Sequence, residues 1–221
     1  MNQAAPAAFL FDLDGTLVDS ERENIESVVL AVRRHGAEMS DEERQFVIGH
    51  SWNEIYGMVA RNHALSVTMP ELIAEAVAEK RRLIAVSGHR ALPGAVAAVR
   101  RFARTSKLAV VTGASTAEAR DALAGIGVTD AFAELIAAED YTQGKPAPEP
   151  YALAITRLGV AAARSIAIED ATPGILSARA AGARVIAVRA GNFAGYDLSP
   201  ADVVVDTLDD ITDEVCARLV G

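Results

Sequence analysis

The 221-residue chain is 51% hydrophobic and 23% charged, an ordinary globular composition that excludes fibrous and disordered classes and suits one domain, or one plus an insert. Lys and Arg number 21 against 30 Asp and Glu, a formal net charge of −9, which disfavours nucleic acid and anionic membranes as partners and requires an anionic ligand to meet local positive charge. The lone cysteine, Cys216, excludes an internal disulfide and suits a terminal helix in a reducing compartment, and apolar runs far short of about 18 residues with no basic leader predict a cytoplasmic protein that does not span a membrane.

Residues 7–11 form the first expected strand, an apolar run that stops at Asp12. From 19 to 89 the chain offers only helical patterns, at 20–35, 41–47, 51–64 and 70–86. A helix at 93–104, a strand at 107–111 and a helix at 115–125 follow, then a weaker strand at 132–137 and a helix at 148–158. The pattern closes with a strand at 165–169, a helix at 173–181, strands at 184–188 and 202–205, and a helix at 208–219. Pro93 and Pro173 suit helix starts, and Gly182 suits a helix stop.

Short β-rich runs alternating with helices predict an α/β fold with a mainly parallel sheet. Residues 1–18 and 90–221 would form the core, and residues 19–89 a helical cap inserted after the first strand. Ligands of such sheets bind beyond the carboxyl ends of the strands. The chemistry is therefore expected where Phe11, Val111, Ala137 and Ile168 run into polar or acidic residues. An insert at that edge suits a movable lid or a fixed helical layer.

Four segments carry that chemistry. Asp12 and Asp14 alternate on an extended segment and could flank one ligand unless the chain turns between them. Paired acids invite a hard cation such as Mg²⁺, although an Asp-Gly turn after a strand explains them equally well. At Thr112-Gly113, a hydroxyl and backbone N–H groups at a strand end can hold a phosphate, whereas Ser115 or Thr116 reads as a plain helix N-cap. Lys145 stands between glycine and proline in a chain with 3 lysines against 18 arginines; a compact ammonium suits a point charge between a phosphate and an aspartate, and a solvated loop lysine is the alternative. Glu169-Asp170 ends another apolar strand, where acids can also favour the dipole of the following helix.

These pieces, from Asp12-Leu13-Asp14-Gly15-Thr16 through Thr112 and Gly144-Lys145-Pro146-Ala147-Pro148 to Glu169-Asp170, Pro173-Gly174 and Ala180-Ala181-Gly182, resemble the haloacid dehalogenase superfamily. The likeness spans residues 9–182 and falls in the branch of capped, Mg²⁺-dependent phosphatases and phosphosugar mutases, similar to phosphoglycolate phosphatase and β-phosphoglucomutase. It implies a Rossmann-like parallel core and a small phosphorylated metabolite as substrate. It further implies that Asp12 attacks phosphorus to form an aspartyl-phosphate and that Asp14 serves as proton donor and acceptor. Thr112 and Gly113 would bind phosphoryl oxygens, and Lys145 would lie between Asp12 and the phosphoryl group. Mg²⁺ would be held by Asp12, the backbone carbonyl of Asp14, Asp170 and Glu169.

Asp14 argues against carbon–halogen cleavage, because dehalogenase members lack the second aspartate. The mutase group commonly has a histidine shortly after the first motif, where this chain has Ser20-Glu21-Arg22-Glu23-Asn24; a phosphatase is therefore preferred over a mutase. A phosphate-binding regulatory module without turnover is the remaining alternative. In the cap, the turn Gly49-His50-Ser51-Trp52-Asn53 is the candidate substrate contact through His50 and Trp52, with Trp52 equally suited to packing between helices. Among Arg61, Lys80, Arg81 and Arg82, at most one is expected to meet substrate charge. A monomer or homodimer is expected.

Overall fold

The computed structural model describes residues 5–221. The chain divides into two compact units, one made of the chain up to Asp19 and from Arg90 onward, the other of Ser20–His89. In chain order the elements are β1 (Ala8–Phe11), β2 (Val18–Asp19), α1 (Glu21–Arg34), α2 (Asp41–Phe46), α3 (Trp52–Asn62), α4 (Met69–Ser87), β3 (Arg90–Ala91), α5 (Ala95–Phe102) and β4 (Lys107–Val111). They continue with α6 (Thr116–Gly125), β5 (Glu134–Ile136), α7 (Glu149–Leu158), β6 (Ser165–Glu169), α8 (Thr172–Ala180), β7 (Arg184–Val188), β8 (Val203–Val205) and α9 (Asp213–Val220).

In the first unit a six-stranded sheet runs in the order β5-β4-β1-β6-β7-β8, with every neighbouring pair parallel. This is the α/β architecture expected from the alternation of strands and helices. β1 pairs on both sides and is covered on both faces, which is why all four of its residues are apolar and buried. Phe9 and Phe11 face one layer, with Val99 and Phe102 of α5, Leu123 of α6 and Cys216 of α9. Phe9 stacks on Phe102 with ring centroids 3.9 Å apart. Leu10 faces the opposite layer, with Tyr151 and Ile155 of α7 and Ile175 of α8. Because the strands are parallel, their carboxyl ends share one edge. Asp12 follows β1 there, Thr112 follows β4, and Asp170 follows β6.

Three departures from the sequence pattern have a local physical reason. β2 and β3 form an antiparallel pair of two residues each, too short to leave a periodic signal. The helix expected over 208–219 is broken, because Leu208–Asp210 is a single 3₁₀ turn and α9 starts only after Thr212, whose Oγ1 accepts from Val215 N at 3.3 Å. α5 begins at Ala95 after Gly94 in a left-handed conformation, so Pro93 belongs to the preceding turn.

The second unit is helical. Val28, Val29, Val32, Ile55, Val59 and Leu72 form its core. Ser40 and Ser51 open α2 and α3 in reciprocal hydrogen bonding with Glu43 and Glu54. Glu43 is buried, accepts from Asn62 Nδ2 at 2.7 Å and faces His63 Nε2 at 3.0 Å. Buried Glu79 pairs with Arg34 and with Arg82 Nε at 2.9 Å. Among the described residues no helix is long and apolar enough to cross a membrane.

Candidate active site

At the end of β1 the Asp12 amide donates to Ile168 O at 3.0 Å, continuing the sheet by one residue. The chain then turns. Leu17 N donates to Leu13 O at 2.8 Å and Gly15 N to Val18 O at 2.9 Å, with Gly15 at φ +79°. A Cβ on Gly15 would lie 2.4 Å from Asp170 Oδ2, so only glycine permits both this φ and this approach. The turn separates the two aspartates: Asp12 is buried, whereas Asp14 is exposed.

Lys145 reaches the same place from the loop between β5 and α7. Its Nζ donates to Asp12 Oδ1 at 2.5 Å, Glu169 Oε1 at 2.6 Å and Val111 O at 3.0 Å, one acceptor for each ammonium proton. The loop is held by Glu149, which accepts from Thr142 N at 2.9 Å and Gln143 N at 2.7 Å. The Ser177 hydroxyl donates to Ala147 O. Glu139 and Asp140 engage other groups, Glu139 accepting from Thr116 N and Oγ1 and Asp140 from Ala137 N and Arg157.

Glu169 is 1% exposed; its Oε1 accepts from Tyr151 Oη at 2.6 Å and its Oε2 from Asp170 N at 3.3 Å. Gly174, in the first turn of α8, leaves the room for this carboxylate, since a Cβ there would sit 1.9 Å from Glu169 Oε1. Thr16 Oγ1 donates to Asp170 Oδ1 at 3.2 Å. Thr112 is buried, its Oγ1 accepting from Ala114 N at 3.0 Å and its carbonyl accepting from Tyr141 Oη at 3.0 Å, while Gly113 beside it is exposed.

Asp12, Glu169 and Asp170 each offer a carboxylate oxygen, and these atoms lie within 4.8 Å of one another. Burial pushes the Asp12 carboxyl well above its usual range; the Lys145 ammonium opposes this, and Glu169 and Asp170 reinforce it. Asp170 is pushed up to about 8, by burial first and by the Glu169 charge second. Burial alone would favour neutral Lys145, but Asp12 and Glu169 together hold it above its ordinary value. One ammonium thus serves three buried carboxylates, and the donor set of clustered oxygens suits a hard divalent cation.

The structure brings Asp12, Lys145, Glu169 and Asp170 into direct contact or close approach, and puts Thr112 and Gly113 at the adjoining strand end. The Asp14 carboxylate is not a member of the clustered acids. His50 and Trp52 belong to the helical unit. His50 is exposed, stacks on Phe46 with ring centroids 3.7 Å apart and sets Nδ1 3.1 Å from Ile48 O; Trp52 opens α3 and packs against the unit's core. Sequence reasoning passed over Thr16, Tyr141, Glu149 and Tyr151. Thr16 stood inside the Asp-Leu-Asp-Gly-Thr motif and Glu149 opened a recognisable helix. Tyr151 looks like any other core residue of α7.

Residues 9–188 match the haloacid dehalogenase-like hydrolase family. The chain belongs to that family. The match takes in the clustered acids and their lysine, from Asp12 to Asp170. Among relatives of this haloacid dehalogenase-like hydrolase, hexitol phosphatase A of Escherichia coli (strain K12) is 32% identical, covering 92% of each chain. Validoxylamine A 7'-phosphate phosphatase of Streptomyces hygroscopicus subsp. limoneus is also 32% identical, over 91% of this chain and 94% of its own. The crystal structure of CbbY from Rhodobacter sphaeroides in complex with phosphate shares the fold with a TM-score of 0.78 at 22% identity, covering 93% of this chain and 96% of that one.

Proposed function

We propose that this hydrolase is a phosphatase of small phosphorylated metabolites, of the sugar-phosphate or phosphoglycolate class, working through an aspartyl-phosphate on Asp12 with Mg²⁺ as cofactor. The observation that carries the reading is the Lys145 ammonium held 2.5 Å from Asp12 Oδ1 within a buried acidic cluster. A carboxylate approaching a phosphate monoester meets like-charge repulsion worth about 4 kcal/mol per unit-charge pair at 4 Å and an effective dielectric near 20. A site built for that approach needs fixed positive charge, and the phosphatase names of the relatives support the same chemistry.

In the first step the Asp12 carboxylate attacks phosphorus, the bond from phosphorus to the ester oxygen breaks, and Asp14 gives its proton to the departing alcohol. In the second step Asp14 takes a proton from water, which attacks the aspartyl-phosphate and releases phosphate. Lys145 favours the ionised form of buried Asp12 against the effect of burial and offsets the charge on the incoming phosphoryl group, while the Thr112 hydroxyl and the Gly113 N–H bind phosphoryl oxygens. Asp12, Asp170, the Asp14 backbone carbonyl and Glu169 would hold the Mg²⁺, which supplies additional positive charge at the phosphoryl oxygens. His50 and Trp52 are the proposed selectors of substrate in the helical unit, and their replacement is expected to shift preference more than overall rate.

A screen of phosphate monoesters with Mg²⁺, run beside Asp12→Asn, tests the reading. Phosphate release from one or more sugar phosphates or phosphoglycolate, abolished in Asp12→Asn, supports it. Equal release by parent and variant would remove Asp12 as the nucleophile.

A further inference from the structure

We propose that Tyr151 is a positioning residue for the nucleophile, acting through Glu169 to set how the Lys145 ammonium is shared with Asp12; this rests on Asp12 being the attacking group. Tyr151 is fully buried in the apolar cluster that holds Ala154, Ile155 and Ile175. A hydroxyl in such surroundings is costly unless it is paired. Here it donates to Glu169 Oε1 at 2.6 Å, the same oxygen that accepts from Lys145 Nζ at 2.6 Å.

Asp12 and Glu169 therefore compete for one ammonium, at 2.5 Å and 2.6 Å. The phenol proton draws charge from Glu169 Oε1 and weakens its hold, leaving Lys145 shared with Asp12 rather than drawn wholly to Glu169. The same ring lies near the ammonium, with its centroid 5.1 Å from Lys145 Nζ, so one side chain both stabilises the cation and tempers its competing anion. The absence of a Cβ at Gly174 lets Glu169 occupy this position.

Tyr151→Phe removes the hydroxyl and keeps the ring. With p-nitrophenyl phosphate and Mg²⁺ as probe, the variant is expected to lose about tenfold in kcat with KM within about twofold, the size of one hydrogen bond to a charged group. The chain has only 3 lysines, Lys80, Lys107 and Lys145, so a ¹⁵N-lysine side-chain spectrum, assigned with Lys80→Arg and Lys107→Arg, reports Lys145 directly without substrate or metal. Its signal should move in Tyr151→Phe while that of Lys107 stays in place. Glu169→Gln provides a second approach, moving both the Lys145 signal and the Tyr151 ring carbons, and Tyr151→Phe should cost no further activity in the Glu169→Gln background. An unmoved Lys145 signal, or a moved signal with unchanged kcat, overturns the inference. Absence of Mg²⁺-dependent turnover in the parent sinks the phosphatase reading instead, and the lysine spectrum then decides alone whether Tyr151 sets the ammonium.

Discussion

Lys145 illustrates how a single buried cation decides the behaviour of its neighbours. Without it, buried Asp12 and Glu169 lose the ammonium that both contact, and the burial that already pushes the Asp12 carboxyl up is no longer opposed by that charge. Lys145→Met is expected to abolish phosphate release and to lower the unfolding free energy by about 3 kcal/mol, near the low end for breaking a buried pair because the carboxyls can take up protons. Urea unfolding and a phosphate-release assay on the same preparation check both effects, and a variant as stable and active as the parent would reduce Lys145 to a passive loop residue. Asp14 is a different case. It is exposed and its carboxylate is not one of the clustered acids, so Asp14→Asn tests proton transfer without removing an acid of that cluster. Turnover should fall by roughly 10² to 10⁴, the usual worth of a positioned proton donor. An unaltered kcat would exclude Asp14 as the acid and base.

The strands were readable because β1, β4, β6 and β7 are buried on both faces and so appear as short, nearly continuous apolar runs, each stopping at the sheet edge where polar groups reappear. Asp12, Thr112 and Glu169-Asp170 were visible for the same reason, being the first polar residues after such a run. What escaped had no pattern to display. The β2–β3 pair is too short, and the Thr212 cap lies inside a stretch whose apolar spacing continues on both sides of the break. Tyr151 is apolar by position and polar only through its one contact with Glu169. α8 and α2 yield two predictions that depend on local structure. Alanine normally favours a helix over glycine by about 1 kcal/mol, yet at Gly174 its Cβ would fall 1.9–2.2 Å from the Glu169 carboxylate. Gly174→Ala is therefore expected to destabilise the fold and to depress turnover, as seen by thermal melting and phosphate release; a more stable, fully active variant would show that Glu169 moves aside freely. In the helical unit, Glu43 is lowered to about 2 from 4.5; burial alone opposes ionisation, and hydrogen bonds from Asn62, the Ser40 amide and His63 prevail. Because its native value is depressed, its contribution is present above pH 4.5 and lost as pH falls toward 2. Glu43→Gln should melt below the parent at neutral pH, and the gap should close as pH falls through that window. A gap that stays constant would mean that the effect of Glu43 is packing alone.

For a protein with a formal charge of −9 to bind phosphate esters, as proposed, it must concentrate positive charge at one point, and here that point is itself acidic. Asp170 is pushed up to about 8 from 3.8, because burial and the Glu169 charge disfavour its ionised form. Over that interval the native state holds a proton that the unfolded chain has released, so the contribution of this group to stability is greatest below about pH 4 and falls as pH rises toward 8. A divalent cation that needs the ionised carboxylates reverses the trend, adding about 2.7 kcal/mol when its concentration reaches 100 times its Kd. In EDTA the melting temperature should therefore decline from pH 4 to pH 8, and added Mg²⁺ should restore it by an amount that grows with pH. Asp170→Asn should flatten the decline and remove most of the Mg²⁺ response together, since both arise from the same carboxylate. If Asp170→Asn keeps the full Mg²⁺-induced shift, the cation binds elsewhere and the buried acids at the ends of β1 and β6 are held by Lys145 and their hydrogen bonds alone.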